Sequence, residues 1–96
     1  MIEARYSAAA EGDVARAWLA CRNRWVEEQA DRYIDMLHAA VEQLCLFPES
    51  GNDRTELVPG LCSRVMKTHV IFYRLVSETL QVVRVLHVHQ DPTEHV

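Results

Sequence analysis

Apolar and polar positions alternate over residues 2–7, where Ile2, Ala4 and Tyr6 interleave with Glu3 and Arg5, and this period of two predicts a short strand ending at Ser7. Ser7 is placed to cap a helix starting at residue 8, because its hydroxyl can accept from a backbone N–H in a first helical turn. The period then lengthens. Val14, Trp18, Cys21 and Trp25 recur at intervals of four, three and four, which predicts a helix over residues 8–24 with those side chains on one stripe. Gly12 weakens that helix by about 1 kcal/mol relative to Ala. A wider stripe of Ala30, Tyr33, Ile34, Leu37, Val41, Leu44 and Cys45 predicts a second helix from about Val26 to Leu46. Glu27, Glu28 and Asp31 fall early in it, where carboxylates complement the helix dipole. So short a connection makes the two helices an antiparallel hairpin. Trp18, Trp25, Tyr33 and Phe72 are expected in the core.

Pro48 ends the second helix, Glu49 to Asp53 reads as a loop, and Pro59-Gly60 as a turn. Leu61 to Lys67 then reads as a weaker strand. Beyond it, His69 to Arg74 and Val83 to His87 are rich in β-branched residues and flank Ser77-Glu78-Thr79, the signature of a buried antiparallel hairpin. The fold class is therefore α+β: an N-terminal strand, an α-helical hairpin, then a three-stranded antiparallel sheet segment, with the helices on one face and the other left concave and open. A length of 96 residues fits one domain over 1–96.

Composition narrows the partners. A net charge of −4 argues against direct nucleic-acid binding, which depends on Lys and Arg neutralising phosphates. No apolar run approaches the roughly 20 residues that span a bilayer, so no membrane partner is expected. The start of the chain lacks the pattern of a secretory signal, which predicts a cytoplasmic location. Cys21, Cys45 and Cys62 are widely spaced without a CxxC pair, and reduced core thiols are the expectation.

Several landmarks in order resemble the ParE branch of the RelE/ParE toxin superfamily, the toxin halves of bacterial toxin–antitoxin modules. They are Ser7 with Ala10, Asp13 and Val14; Trp25 with Gln29 to Ile34; Leu44 with Phe47-Pro48 and Gly51; Glu56-Leu57 with Pro59-Gly60-Leu61; and His69 to Arg74 with Arg84 to His87 and Asp91. The resemblance implies a toxin that poisons DNA gyrase by binding it, in a hetero-oligomer with a neutralising ParD-like antitoxin. It implies no catalytic residue, cofactor or metal. The chain departs from the family at Val26, where many relatives have Gly, and at Gln90, where a Met commonly precedes the aspartate. Val26 is expected to lengthen the second helix.

Arg64, Arg74, His87 and Asp91 are the candidate target or toxicity surface, while Asp13, Asp31 and Arg84 are candidate structural ion pairs. The antitoxin surface is left unassigned. A RelE-like ribosome-dependent mRNA endonuclease is the alternative, needing clustered cations to steady a phosphate; Val70 stands where such relatives carry arginine, and no C-terminal tyrosine is present. A non-toxic antitoxin-binding remnant is a third reading. His87, His89 and Asp91 alternate along one strand face, with His95 beyond, as a metal set could. A His87–Asp91 hydrogen bond ordering the C-terminus is the preferred reading. Truncation from Leu86 onward is expected to remove toxicity before antitoxin binding.

Overall fold

The computed structural model describes residues 2–96. Strand β1 (Glu3–Tyr6) leads through Ser7 into α1 (Ala8–Arg24), followed by α2 (Glu27–Leu46), a 3-10 turn at Pro48–Ser50, and strands β2 (Asn52–Asp53), β3 (Cys62–Met66), β4 (His69–Val76) and β5 (Thr79–His87). Ser7 Oγ accepts from the Ala10 amide at 2.9 Å, capping α1, and donates to the Val83 carbonyl at 2.8 Å, tying that cap to β5. Two-residue turns, Lys67-Thr68 and Ser77-Glu78, connect β3 to β4 and β4 to β5, and each takes a left-handed first residue, with φ of 55° at both Lys67 and Ser77.

The sheet has five strands in the order β1-β5-β4-β3-β2. The three C-terminal strands form the expected antiparallel segment, and β1 joins it in parallel beside β5, from Glu3↔Thr79 to Tyr6↔Val82. A bulge interrupts the hairpin: Phe72 faces Arg84 and Tyr73 faces Val82, so Val83 is the extra residue.

Leu37, Val41 and Leu44 of α2 pack with Ile71, Tyr73, Leu80, Val82 and Val85 on one side of the sheet. The opposite side is less open than expected. Segment 54–61 folds back over it, closed by the Arg54 amide on the Leu61 carbonyl at 2.8 Å, and Leu57, Val58 and Val96 pack around Leu61, Phe72 and Leu86.

Two local expectations are corrected. The inward face of α1 is Ala10, Asp13 and Ala17, one position round from the predicted stripe; Trp25 is 59% exposed, and Trp18 and Cys21 are half-buried. The small alanines let the helix approach β5 closely, and Asp13 is drawn in by its partners there. Val26 does not lengthen α2; it is the extended residue before it, and its carbonyl accepts from the Gln29 amide at 3.0 Å.

Candidate functional site

Past Val82, where β1 ends, α1 packs against β5 and supplies the polar centre of the molecule. The Asp13 carboxylate, 5% exposed, accepts from Arg84 Nε at 2.7 Å and Nη2 at 2.8 Å, from Arg16 Nη2 at 2.7 Å, and from the Val85 amide at 2.9 Å. Burial alone would raise its pKa; the hydrogen bonds from Arg84, Val85 and Arg16 outweigh that and hold the carboxyl below its ordinary value. Arg84 also donates Nη1 to the His95 carbonyl at 3.0 Å, fastening the C-terminal segment. Asp31 does not belong to this ion pair. It lies on the outer face of α2 and accepts from Trp18 Nε1 at 2.8 Å, so it ties the two helices together instead.

The candidate surface residues do not converge. Arg64 lies on the helix side of the sheet, donating to Gln43 Oε1 at 3.1 Å; Arg74 lies on the other side, donating to Gln81 Oε1 at 3.0 Å. Asp91 caps the 3-10 turn Pro92–Glu94 by accepting from the Thr93 amide and hydroxyl, at 3.0 and 2.7 Å. The expected His87–Asp91 bond is therefore absent among the described residues: His87 Nδ1 accepts from the His89 amide at 3.2 Å, and Gln90 Oε1 accepts from the His87 amide at 2.8 Å. The local turn satisfies both side chains before they can reach each other. Among the described residues no His, Cys, Asp or Glu trio has metal-binding geometry. Truncation from Leu86 is also ruled out as a clean probe, because Leu86 is 1% exposed and pairs with Val70 inside the sheet.

What the chain does assemble is a pair of grooves. The first, about 480 Å³, opens where the helix–helix junction meets the β3–β4 turn, and is lined by Trp25, Tyr33, Lys67, His69 and His87 over Ala17 and Cys21 of α1. His69 and His87 are register partners whose rings meet edge-on at 5.4 Å. Tyr33 Oη contacts His69 Nδ1 at 2.7 Å and Thr68 Oγ1 at 2.9 Å, fixing the ring. Burial, and then the nearby His87 ring, push the His69 pKa down, which favours the neutral imidazole. Sequence reasoning found His87 but missed Tyr33, Lys67 and His69, which only tertiary packing brings to it. The second groove, about 660 Å³, lies on the other side of the sheet and contains Arg5, Arg74, Gln81 and Arg84.

A helical hairpin laid on a sheet made of one parallel edge strand and an antiparallel meander defines the RelE/ParE-like class of small toxins. The fold is shared with a solved structure described as a chromosomal ParDE TA system from P. aeruginosa, with a TM-score of 0.79 at 17% identity over 91% of this chain and 96% of that one. A family model described as the ParE toxin of the type II toxin–antitoxin system, parDE, matches residues 4–92. Among curated relatives, Toxin ParE1 of Mycobacterium tuberculosis (strain ATCC 25618 / H37Rv) is 34% identical over 88% of both chains. Toxin ParE1 of Caulobacter vibrioides is 32% identical over 95% of this chain and 94% of its own. The chain belongs to the ParE toxin family of type II toxin–antitoxin systems.

Proposed function

We propose that this toxin poisons DNA gyrase by binding it in the cytoplasm, and that a ParD-like antitoxin neutralises it. The observation that carries the binding mode is the first groove, where an exposed indole, Trp25, stands over a largely apolar wall of α1 beside His87. An exposed aromatic at the mouth of an apolar cleft is the composition of a protein-binding hot spot. Gyrase is the target that the family resemblance implies. In this reading His87 belongs to the target surface, whereas Arg64 and Asp91 serve their own local contacts.

The test is supercoiling by gyrase in the presence of the purified toxin. Inhibition with accumulation of cleaved DNA is the expected result, reduced at least tenfold in Trp25→Ala and relieved by antitoxin. Undisturbed supercoiling refutes the reading. One observation favours the ribonuclease alternative: Lys67 and Arg24 share the first groove with His69 and His87, a set that could meet a phosphate. Cleavage of mRNA on added ribosomes, lost in His87→Ala, would establish that reading in its place.

A further inference from the structure

The sheet ends on one side at β1, and no strand among the described residues pairs with its outer edge. The Glu3 and Ser7 amides donate inward, to the Glu78 and Val82 carbonyls at 3.1 and 3.0 Å, so by alternation the backbone groups of Ala4 and Tyr6 point outward. Such an edge is a template for another strand, and proteins commonly blunt it with Pro, a bulge or a very short strand. The opposite edge is blunted in this way, since β2 has two residues. Strand β1 has no Pro, and its register with β5 has no bulge. What it carries is charge. Glu3 and Arg5 are exposed on the face away from the helices, while Ile2, Ala4 and Tyr6 turn toward the core. Their rows across the sheet give them no ionic partner: Glu3 faces Thr79 and then Val76, and Arg5 faces Gln81 and then Arg74. Among the described residues neither is in a salt bridge.

We propose that β1 pairs antiparallel with β1 of a second copy, about a twofold axis at Ala4, so that the two sheets become one. Antiparallel neighbours bond through residues whose backbone groups point at each other, so Ile2, Ala4 and Tyr6 must oppose residues of that same set. With Ala4 opposite Ala4, Ile2 of each copy faces Tyr6 of the other. Glu3 of each then faces Arg5 of the other, in the non-hydrogen-bonded pairs where side chains lie closest. Placing the axis at Glu3 or at Arg5 opposes like charges, and placing it between residues sets outward groups against inward ones. The run from Ile2 to Tyr6 is thus self-complementary in one antiparallel register. On the helix side, the Tyr6 ring that Ile2 would meet is already held by its Oη contact to His38 Nδ1 at 2.8 Å. A contact of this isologous kind closes at two subunits. One short strand per copy buries less than a standard interface, which sets a reversible dimer with a dissociation constant on the order of micromolar. A foreign strand would find the same backbone groups, but a second copy brings the matching charge order by construction. The inference uses neither the gyrase target nor the antitoxin.

The test is sedimentation equilibrium of the full-length toxin over about 1–200 μM, a range that brackets so small an interface. A reversible monomer–dimer equilibrium is expected, with deuterium exchange at the Ala4 and Tyr6 amides slowing as the dimer forms. Glu3→Arg and Arg5→Glu each turn the pairs between copies into like-charge pairs, and each should weaken the dimer roughly tenfold or more. Both retain the wild-type thermal transition, since the substituted side chains are exposed. Mixing the two variants restores association as a heterodimer, and the exchange Glu3→Arg/Arg5→Glu in one chain restores the homodimer. Ala4→Pro removes the amide on the axis, a change an edge strand tolerates, and abolishes the pairing. A toxin that stays monomeric over the whole range overturns the proposal. So does a dimer that the single reversals leave unchanged, or a weakening that neither mixing nor the double exchange rescues. Ala4 and Tyr6 amides protected only on adding antitoxin would also overturn it, assigning the edge to a strand of that partner.

Discussion

Replacing Asp13 by Ala is the sharpest test of what holds this fold together. The substitution removes the acceptor of four hydrogen bonds at once, leaving the Arg84 guanidinium, whose side chain is 17% exposed, without its counter-charge and the Val85 amide without a partner. Breaking one side of a buried ion pair costs about 3–5 kcal/mol, because the surviving charge stays desolvated. At about 4–8 °C per kcal/mol for a domain of this size, the expected fall in melting temperature is about 12 °C or more. Arg16→Ala is the control: Arg16 contacts the same carboxylate, but its side chain is 67% exposed, so its loss costs less than about 1 kcal/mol. The pair Asp13→Ala/Arg84→Met removes the stranded charge and should recover much of the loss. Because the folded pKa of Asp13 lies below its ordinary 3.8, its contribution is complete above that pH and is lost as pH falls through the folded value. The wild-type advantage over the double variant should therefore shrink only in strong acid. Calorimetric melting and urea titration check all of this. A cost below about 1 kcal/mol for Asp13→Ala, or equal costs at Asp13 and Arg16, would refute the assignment.

Packing and burial each give one further expected outcome. A methyl group added at Gly51 would collide with the Tyr73 hydroxyl and come within 2.8 Å of the Ser63 carbonyl, so Gly51→Ala must displace Tyr73 from its 2.8 Å bond to the Pro48 carbonyl. A cost of about 1–3 kcal/mol is expected in urea unfolding, and Tyr73→Phe should relieve part of it. The His69 ring should titrate below 6.5 by NMR, and His87→Gln should move it upward by removing the neighbouring imidazole. Since the folded value is depressed, the stability it contributes is full above pH 6.5 and declines as pH falls through the folded value. An unmoved His69 resonance in His87→Gln would place the cause in burial alone.

The elements that could be read from the chain are those whose local period is strong. Helix α1 spans the predicted residues, Ser7 caps it, and the hairpin of β4 and β5 stands where its β-branched residues cluster. The orientation of α1 was not legible because its inward face is alanines and an aspartate, and hydrophobicity gave the neighbouring tryptophan stripe the larger signal. The parallel pairing of β1 with β5 joins residues more than seventy positions apart, and nothing local encodes it. The grooves were invisible for the same reason. His87 stood out in sequence, yet its neighbours Tyr33 and His69 come from α2 and β4, and the Arg5–Gln81–Arg74 row exists only once three strands share a register.

The bulge at Val83 explains why two arginines of one hairpin, Arg74 and Arg84, have different fates. Along β5, Leu80 and Val82 face the helices, so strict alternation would send Arg84 into the helix-side core and Val85 away from it. The extra residue reverses the parity: Val85 enters that core, Leu86 joins Phe72 on the opposite side, and Arg84 is brought opposite Phe72 at the edge that α1 covers. The same interruption leaves the Val85 amide directed at Asp13 rather than at a strand. Arg74 precedes the bulge in register, opposite Gln81 where alternation is undisturbed and β1 still flanks β5, so no carboxylate of α1 reaches it. One inserted residue thus assigns Arg84 to the fold and leaves Arg74 at the surface, bonded to the neutral Gln81.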